Sequence, residues 1–114
     1  MPYLMIQTNQ SIDEADGKNL LQKASSLVAS ELGKPESYVM VALEDSTPML
    51  FAGDDAPLAY LELKSIGLPE AKTAQLSAAL CQLMEDSIGV GKERVYIEFA
   101  NAERTMWGWN AATF

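Results

Sequence analysis

A chain of 114 residues fits one domain, and a domain this small buries a modest share of its surface, so assembly with further copies would extend its core. Sixteen Asp and Glu against eight Lys and Arg give a net charge of −8, which argues against a nucleic-acid surface and an anionic membrane but leaves room for a small anion held by one lysine. With no histidine and the single Cys81, the chain can build neither a zinc constellation nor an intrachain disulfide, so no metal and no cofactor are expected and any acid–base chemistry must use carboxylates, Lys, Tyr, Cys or a terminal amine.

In chain order, YLMIQT (residues 3–8) reads as a first strand. Pro2 stands ahead of it. Proline has no N–H for a ladder and sits comfortably at the first position of a strand, which is reason enough for its presence. If the initiator methionine is trimmed, Pro2 also becomes a terminal secondary amine, and such an amine can serve as a base. Ser11 and Glu14 have capping-box spacing and predict a helix start. Leu20, Leu21, Ala24, Leu27, Val28 and Leu32 then recur at helical intervals until Gly33 offers a stop. YVMVALE (residues 38–44) is the second strand, apolar at both alternating sets of positions, as expected where both faces are covered.

The second half replays this order. LAYLELKS (residues 58–65) is a strand, Pro69 can open a helix whose stripe is Leu76, Ala79, Leu80, Leu83, Met84 and Ile88, and RVYIEF (residues 94–99) closes the series after Gly89 and Gly91. Cys81 lies on that stripe and reads as a small core hydrophobe. GKPESYVMV from Gly33 and GKERVYIEF from Gly91 share Gly, Lys and Tyr at equal spacing, which makes Lys92 the counterpart of Lys34. Either lysine is also what a helix C-terminus favours.

Two tandem βαβ units with right-handed crossovers predict an α/β (α+β) domain over residues 1–114: a four-stranded mixed sheet with two helices on one face. The opposite face also reads as apolar through Val39, Val41 and Leu43 or their alternates, so subunits are expected to pack sheet faces toward a common axis. MLFAG after Pro48 and the C-terminal MWGWNAATF are expected either to add short edge strands to a neighbouring subunit or to pack as loops. No apolar run approaches the roughly 20 residues of a membrane span, and the N-terminus has no signal-peptide pattern, so cytoplasmic residence is expected.

Taken together, Pro2, the TN of Thr8 and Asn9, GKP at Gly33 to Pro35, SIG at Ser65 to Gly67, RVYI at Arg94 to Ile97, and GWN with TF at Gly108 to Asn110 and Thr113 to Phe114 resemble the macrophage migration inhibitory factor family of the tautomerase superfamily. The resemblance runs over nearly the whole chain. It implies a homotrimer with active sites between subunits and keto–enol tautomerisation of arylpyruvates, of the phenylpyruvate or hydroxyphenylpyruvate type, with Pro2 as base after Met1 removal. It also implies that Lys34 faces the substrate carboxylate, that Ile66 contributes a backbone N–H, and that Tyr96, Trp109 and Phe114 form a wall across the interface with Tyr38 nearby.

The chain departs from the family at points that bear on substrate choice. Glu98 stands where many members carry asparagine; a carboxylate only accepts hydrogen bonds and would repel an anionic end of a substrate. Trp107 is bulkier than the valine of the best-known member and would narrow the pocket mouth. Leu58, Ala59, Tyr60 and Leu61 replace a Cys-x-x-Cys, so no thiol–disulfide activity is expected. Hydration or dehalogenation of unsaturated acids, reactions of the same superfamily, would need more arginines than Arg94 and Arg104. The competing reading is a signalling module that engages a protein receptor, with the tautomerase pocket vestigial or auxiliary. Such a role would call for non-classical secretion.

Overall fold

The computed structural model describes residues 1–114. The chain forms β1 (Tyr3–Thr8), α1 (Glu14–Leu32), β2 (Met40–Glu44), β3 (Ala59–Ile66), α2 (Thr73–Ile88) and β4 (Val95–Ala102), followed by the short strands β5 (Gly108–Trp109) and β6 (Ala112–Thr113). The four longer strands lie in the order β2-β1-β3-β4, parallel within each βαβ unit and antiparallel where β1 meets β3. Tyr3 pairs with Lys64 and Tyr60 with Gln7, so the two units are related by a pseudo-two-fold axis between the central strands.

One face of this sheet holds the core. Leu4, Ile6 and Thr8 of β1 and Ala59, Leu61, Leu63 and Ser65 of β3 alternate inward at almost no exposure. Against them α1 lays Leu20, Ala24 and Val28, four residues apart, and α2 lays Leu76, Leu80, Cys81, Leu83 and Met84. Gly17 lets α1 approach β2: a Cβ there would meet Leu43 Cδ2 at 3.4 Å. The two buried hydroxyls occupy equivalent places in the repeat and are both satisfied, Thr8 Oγ1 donating to the Leu58 carbonyl at 2.7 Å and Ser65 Oγ to that of Ile66 at 3.3 Å.

The open face is mixed rather than wholly apolar: Tyr3 and Met5 of β1 and Met40 and Ala42 of β2 form an apolar part of it, and the rest is mostly polar. Val39, Val41 and Leu43 pack against the core under the helices, and the alternates that face outward include Glu44, Gln7, Tyr60, Glu62 and Lys64. These polar groups pair across the face, with Gln7 Nε2 donating to Glu44 at 2.8 Å and Tyr60 to Glu62 at 3.2 Å. Strand β2 looked apolar on both sides because Met40 and Ala42 lie among the outward residues.

Helix ends also differ from the predicted ones. The N-cap of α1 is Asp13, whose carboxylate accepts the Asp16 N–H at 2.8 Å, and Ser11 lies outside the helix. A cap two residues nearer the helix prevails because a carboxylate also suits the positive end of the helix dipole. Asp13→Ala is expected to cost about 1 kcal/mol, read as a shift of the urea midpoint at unchanged slope. Pro69 precedes a 3-10 turn, Glu70–Lys72, rather than opening α2 directly.

The repeat alignment shifts as well. Gly33 and Gly89 are the C-caps of α1 and α2, both in the left-handed region at φ 62° and 69°, whereas Gly91 at φ −61° is extended. Pro35 and Gly91 each lead into a 3-10 turn, Glu36–Tyr38 and Lys92–Arg94. In structural register Lys34 therefore corresponds to the buried Val90, Tyr38 to Arg94 and Met40 to Tyr96, and Lys92 is not the counterpart of Lys34. The shared Gly-Lys spelling is a coincidence of sequence.

Candidate active site

Strand polarity brings the site together. Parallel pairing puts the start of β2 beside the start of β1, and antiparallel pairing puts the end of β3 at that same end of the sheet. Pro2, the turn through Tyr38 and the terminus of β3 at Ile66 therefore converge, and Lys34, one residue past the α1 cap, is delivered to the same corner. The Pro2 carbonyl accepts the Met40 N–H at 3.0 Å, which fixes the proline, and Pro2 is almost fully buried. Lys34 Nζ donates to the Ile66 carbonyl at 3.0 Å.

Over this corner folds the C-terminal hairpin. Asn110 and Ala111, both at positive φ, make the two-residue turn between β5 and β6, and the Phe114 N–H returns to the Trp107 carbonyl at 3.2 Å. Arg104 Nε donates to the Phe114 carbonyl at 3.1 Å and ties the hairpin down. Trp109 and Phe114 stack at 5.3 Å with 12° between their planes, and Tyr38 meets both edge-on at 5.7 and 6.0 Å. Together with Met1, Pro2, Tyr3 and Met40 these rings line a cleft of about 230 Å³.

The cleft is a hydrophobic slot with one basic corner. Burial, and then the neighbouring Lys34 ammonium, hold the terminal amine of Met1 below its ordinary value. Larger recesses exist, such as one of about 660 Å³ bordered by Asn9, Thr47 and Asp55, but it brings no perturbed base beside a cation. Convergence of amine, lysine and aromatic wall, not size, singles out the cleft at Pro2. No group of three or more Cys, Asp or Glu side chains lies close enough to hold a metal ion.

Of the residues singled out from sequence, Pro2, Tyr38, Trp107, Trp109 and Phe114 line the cleft, whereas Lys34 and Ile66 are bonded to each other outside its lining, Lys34 near enough to act on the Met1 amine. Trp109 and Phe114 reach it within their own chain, because the hairpin folds back onto residues 37–40, and so do not lie across an interface as the resemblance implied. Tyr96 and Glu98 stand elsewhere, on β4: Tyr96 is 67% exposed with its ring 4.8 Å from that of Phe51, and Glu98 is in register with Glu62. Ser37, Val39 and Met40 also line the cleft and were not anticipated. The signal for them was the parallel pairing itself, which must place the start of the second strand beside Pro2.

A mixed sheet of two βαβ repeats whose first strand opens into an aromatic cleft marks a protein of the tautomerase superfamily. The model of the macrophage migration inhibitory factor (MIF) family matches residues 1–114, and the chain belongs to that family. A macrophage migration inhibitory factor homolog of Brugia malayi is 41% identical over 118 aligned residues, covering 100% of this chain and 99% of that protein. Among solved structures, the homologue from Prochlorococcus marinus superposes with a TM-score of 0.92 at 41% identity over 98% of both chains. Macrophage migration inhibitory factor from Toxoplasma gondii gives 0.92 at 35% identity over 98% of this chain and 99% of its own. The family supports an isomerase-type enzyme and a fold suited to homo-oligomers. No helix is long and apolar enough to cross a membrane.

Proposed function

We propose that this protein is a cofactor-independent keto–enol tautomerase of arylpyruvates, with Pro2, freed by removal of Met1, as its general base. The observation that carries this reading is the nearly complete burial of Pro2 in the cleft lined by the Tyr38, Trp109 and Phe114 rings, with Lys34 close enough to act on the amine at the chain start. Burial and Lys34 lower the terminal amine of Met1, and the same two causes are expected to act on a Pro2 amine once Met1 is removed. A neutral Pro2 amine takes the proton from the carbon next to the keto group and returns it to the carbonyl oxygen, so nothing is consumed and no redox partner is needed.

Lys34 would pair with the substrate carboxylate and stabilise the negative charge that develops on oxygen, while Ile66 offers a backbone N–H. The stacked rings accept a flat aryl group, and the proximity of Trp107 favours the smaller arylpyruvates. We place Tyr96 and Glu98 at a neighbouring subunit's cleft in a homotrimer, a reading supported by the exposure of both on the open sheet face.

The test is interconversion of phenylpyruvate tautomers by protein whose intact mass shows Met1 removed, beside protein that retains it. Turnover confined to the trimmed form is the expected result. Equal rates, or none above buffer, would reject the assignment. Lys34→Gln is expected to raise KM roughly ten- to a hundredfold through loss of a charge-assisted contact. Because Lys34 also lowers the amine pKa, the same change should move the rise of activity with pH toward higher pH. An unmoved pH profile would show that the lysine does not act on the base.

A further inference from the structure

The second repeat has its own version of the cleft corner, and there the pieces have been exchanged. By register Ala59 stands where the first repeat has Pro2, Val90 where it has Lys34, and Arg94 where it has Tyr38. This corner therefore has neither base nor anion anchor. In their place Arg94, whose side chain is only 16% exposed, is sewn into the loop that follows β2. Its Nε donates to the Pro57 carbonyl at 2.9 Å, and Nη2 lies 3.3, 3.2 and 3.0 Å from the carbonyls of Phe51, Asp54 and Ala56 and 2.9 Å from the Asp54 carboxylate.

The guanidinium also lies 5.2 Å from the centre of the Phe51 ring, whose other neighbour is the Tyr96 ring at 4.8 Å. Arg94, Phe51 and Tyr96 thus form one connected cluster, with the two rings tilted at 55° to each other. The loop cannot hold Phe51 by core packing, since its tip is a tight turn with Ala52 and Gly53 at positive φ and most of its residues are exposed. Only the planar fork of an arginine reaches four carbonyls and a ring face at once; a lysine offers a point charge.

We propose that Arg94 is a positioning residue: through the Asp54–Pro57 carbonyls and the Phe51 ring it fixes the Tyr96 side chain in its outward orientation. This rests on the tautomerase reading, in which Tyr96 walls the slot of a neighbouring subunit, so Arg94 acts on the substrate through Tyr96 alone. A structural staple would weaken the whole domain. A positioning residue changes substrate binding and loses its effect once Tyr96 is gone.

The experiment is a double-mutant cycle on Met1-trimmed protein with phenylpyruvate, with assembly mass and thermal midpoint measured for every variant. Arg94→Gln is expected to raise KM roughly tenfold with kcat nearly unchanged, as for a misplaced binding wall. In a Tyr96→Ala background the same change should alter KM less than about twofold. If Arg94→Gln does not fold, Arg94→Lys takes its place, with a smaller rise in KM and the same non-additivity. Equal effects of the Arg94 change with and without Tyr96 would overturn the proposal while leaving the tautomerase reading intact. An inactive trimmed wild type would overturn that reading and, with it, this inference.

Discussion

Pro2→Gly, in protein freed of Met1, is expected to lower kcat for phenylpyruvate tautomerisation by about 10²- to 10⁴-fold, the contribution of a well-placed general base. Glycine keeps an amine but loses the ring that seats the nitrogen. The Met40 N–H holds the Pro2 carbonyl at 3.0 Å and the ring is nearly fully buried, which would seat a Pro2 amine in a fixed, desolvated position once Met1 is removed. A terminal glycine has far more backbone freedom and shields nothing, so its amine would spend more time protonated and misdirected. KM should change little if, as proposed, the carboxylate contact is made by Lys34. A variant with near-native kcat would place the base elsewhere, and the chain has no histidine to take over.

The largest expected effect on stability is that of Leu61→Ala, at about 2–5 kcal/mol. Leu61 has no exposure and lies in register with Ile6 on one side and Ile97 on the other, at the middle of the sheet beneath both helices. A cavity there cannot be filled by collapse of a single element, since strands on both sides are fixed by ladder hydrogen bonds. Against a total stability of about 5–15 kcal/mol, that loss takes a large fraction of the whole. Urea unfolding of both proteins at one protomer concentration checks it, because association of copies would stabilise the native state by mass action. A loss below about 1 kcal/mol would mean that the core is not centred on β3.

The legibility of this chain varied with how local each cause is. The span Tyr3–Thr8 and the stop at Gly33 could be read because alternation and a left-handed cap are properties of a few consecutive residues. The start of α1 was misread because Ser11 and Asp13 are both good caps, and only the competition between them decides. The open sheet face was legible only in part, because β2 is apolar on both sides and so does not mark which set turns inward, while most of the polar residues that share the face come from other strands. The repeat register was misread because a matching Gly-Lys pair outweighed backbone conformation: Gly89, not Gly91, is left-handed.

At the site, Pro2, Lys34 and Ile66 meet because of strand polarity, which a tandem βαβ reading already contains. The placement of Trp109 and Phe114 depends on a turn at Asn110 and Ala111 that has no glycine, so the strongest turn signal is missing from the sequence. The link from Arg94 to the loop ahead of β3 was invisible for a different reason. It spans 37 to 43 residues and is made almost wholly to backbone carbonyls, which carry no residue identity.

The most direct test of the central claim is an NMR titration of the Pro2 nitrogen, labelled with ¹⁵N in Met1-trimmed protein, set beside kcat/KM for phenylpyruvate over the same pH range. The two curves should share one inflection, displaced below the ordinary range of a terminal amine by burial and by Lys34. A nitrogen that titrates in the ordinary range, or activity that rises at a pH where Pro2 does not change its proton, would contradict the account.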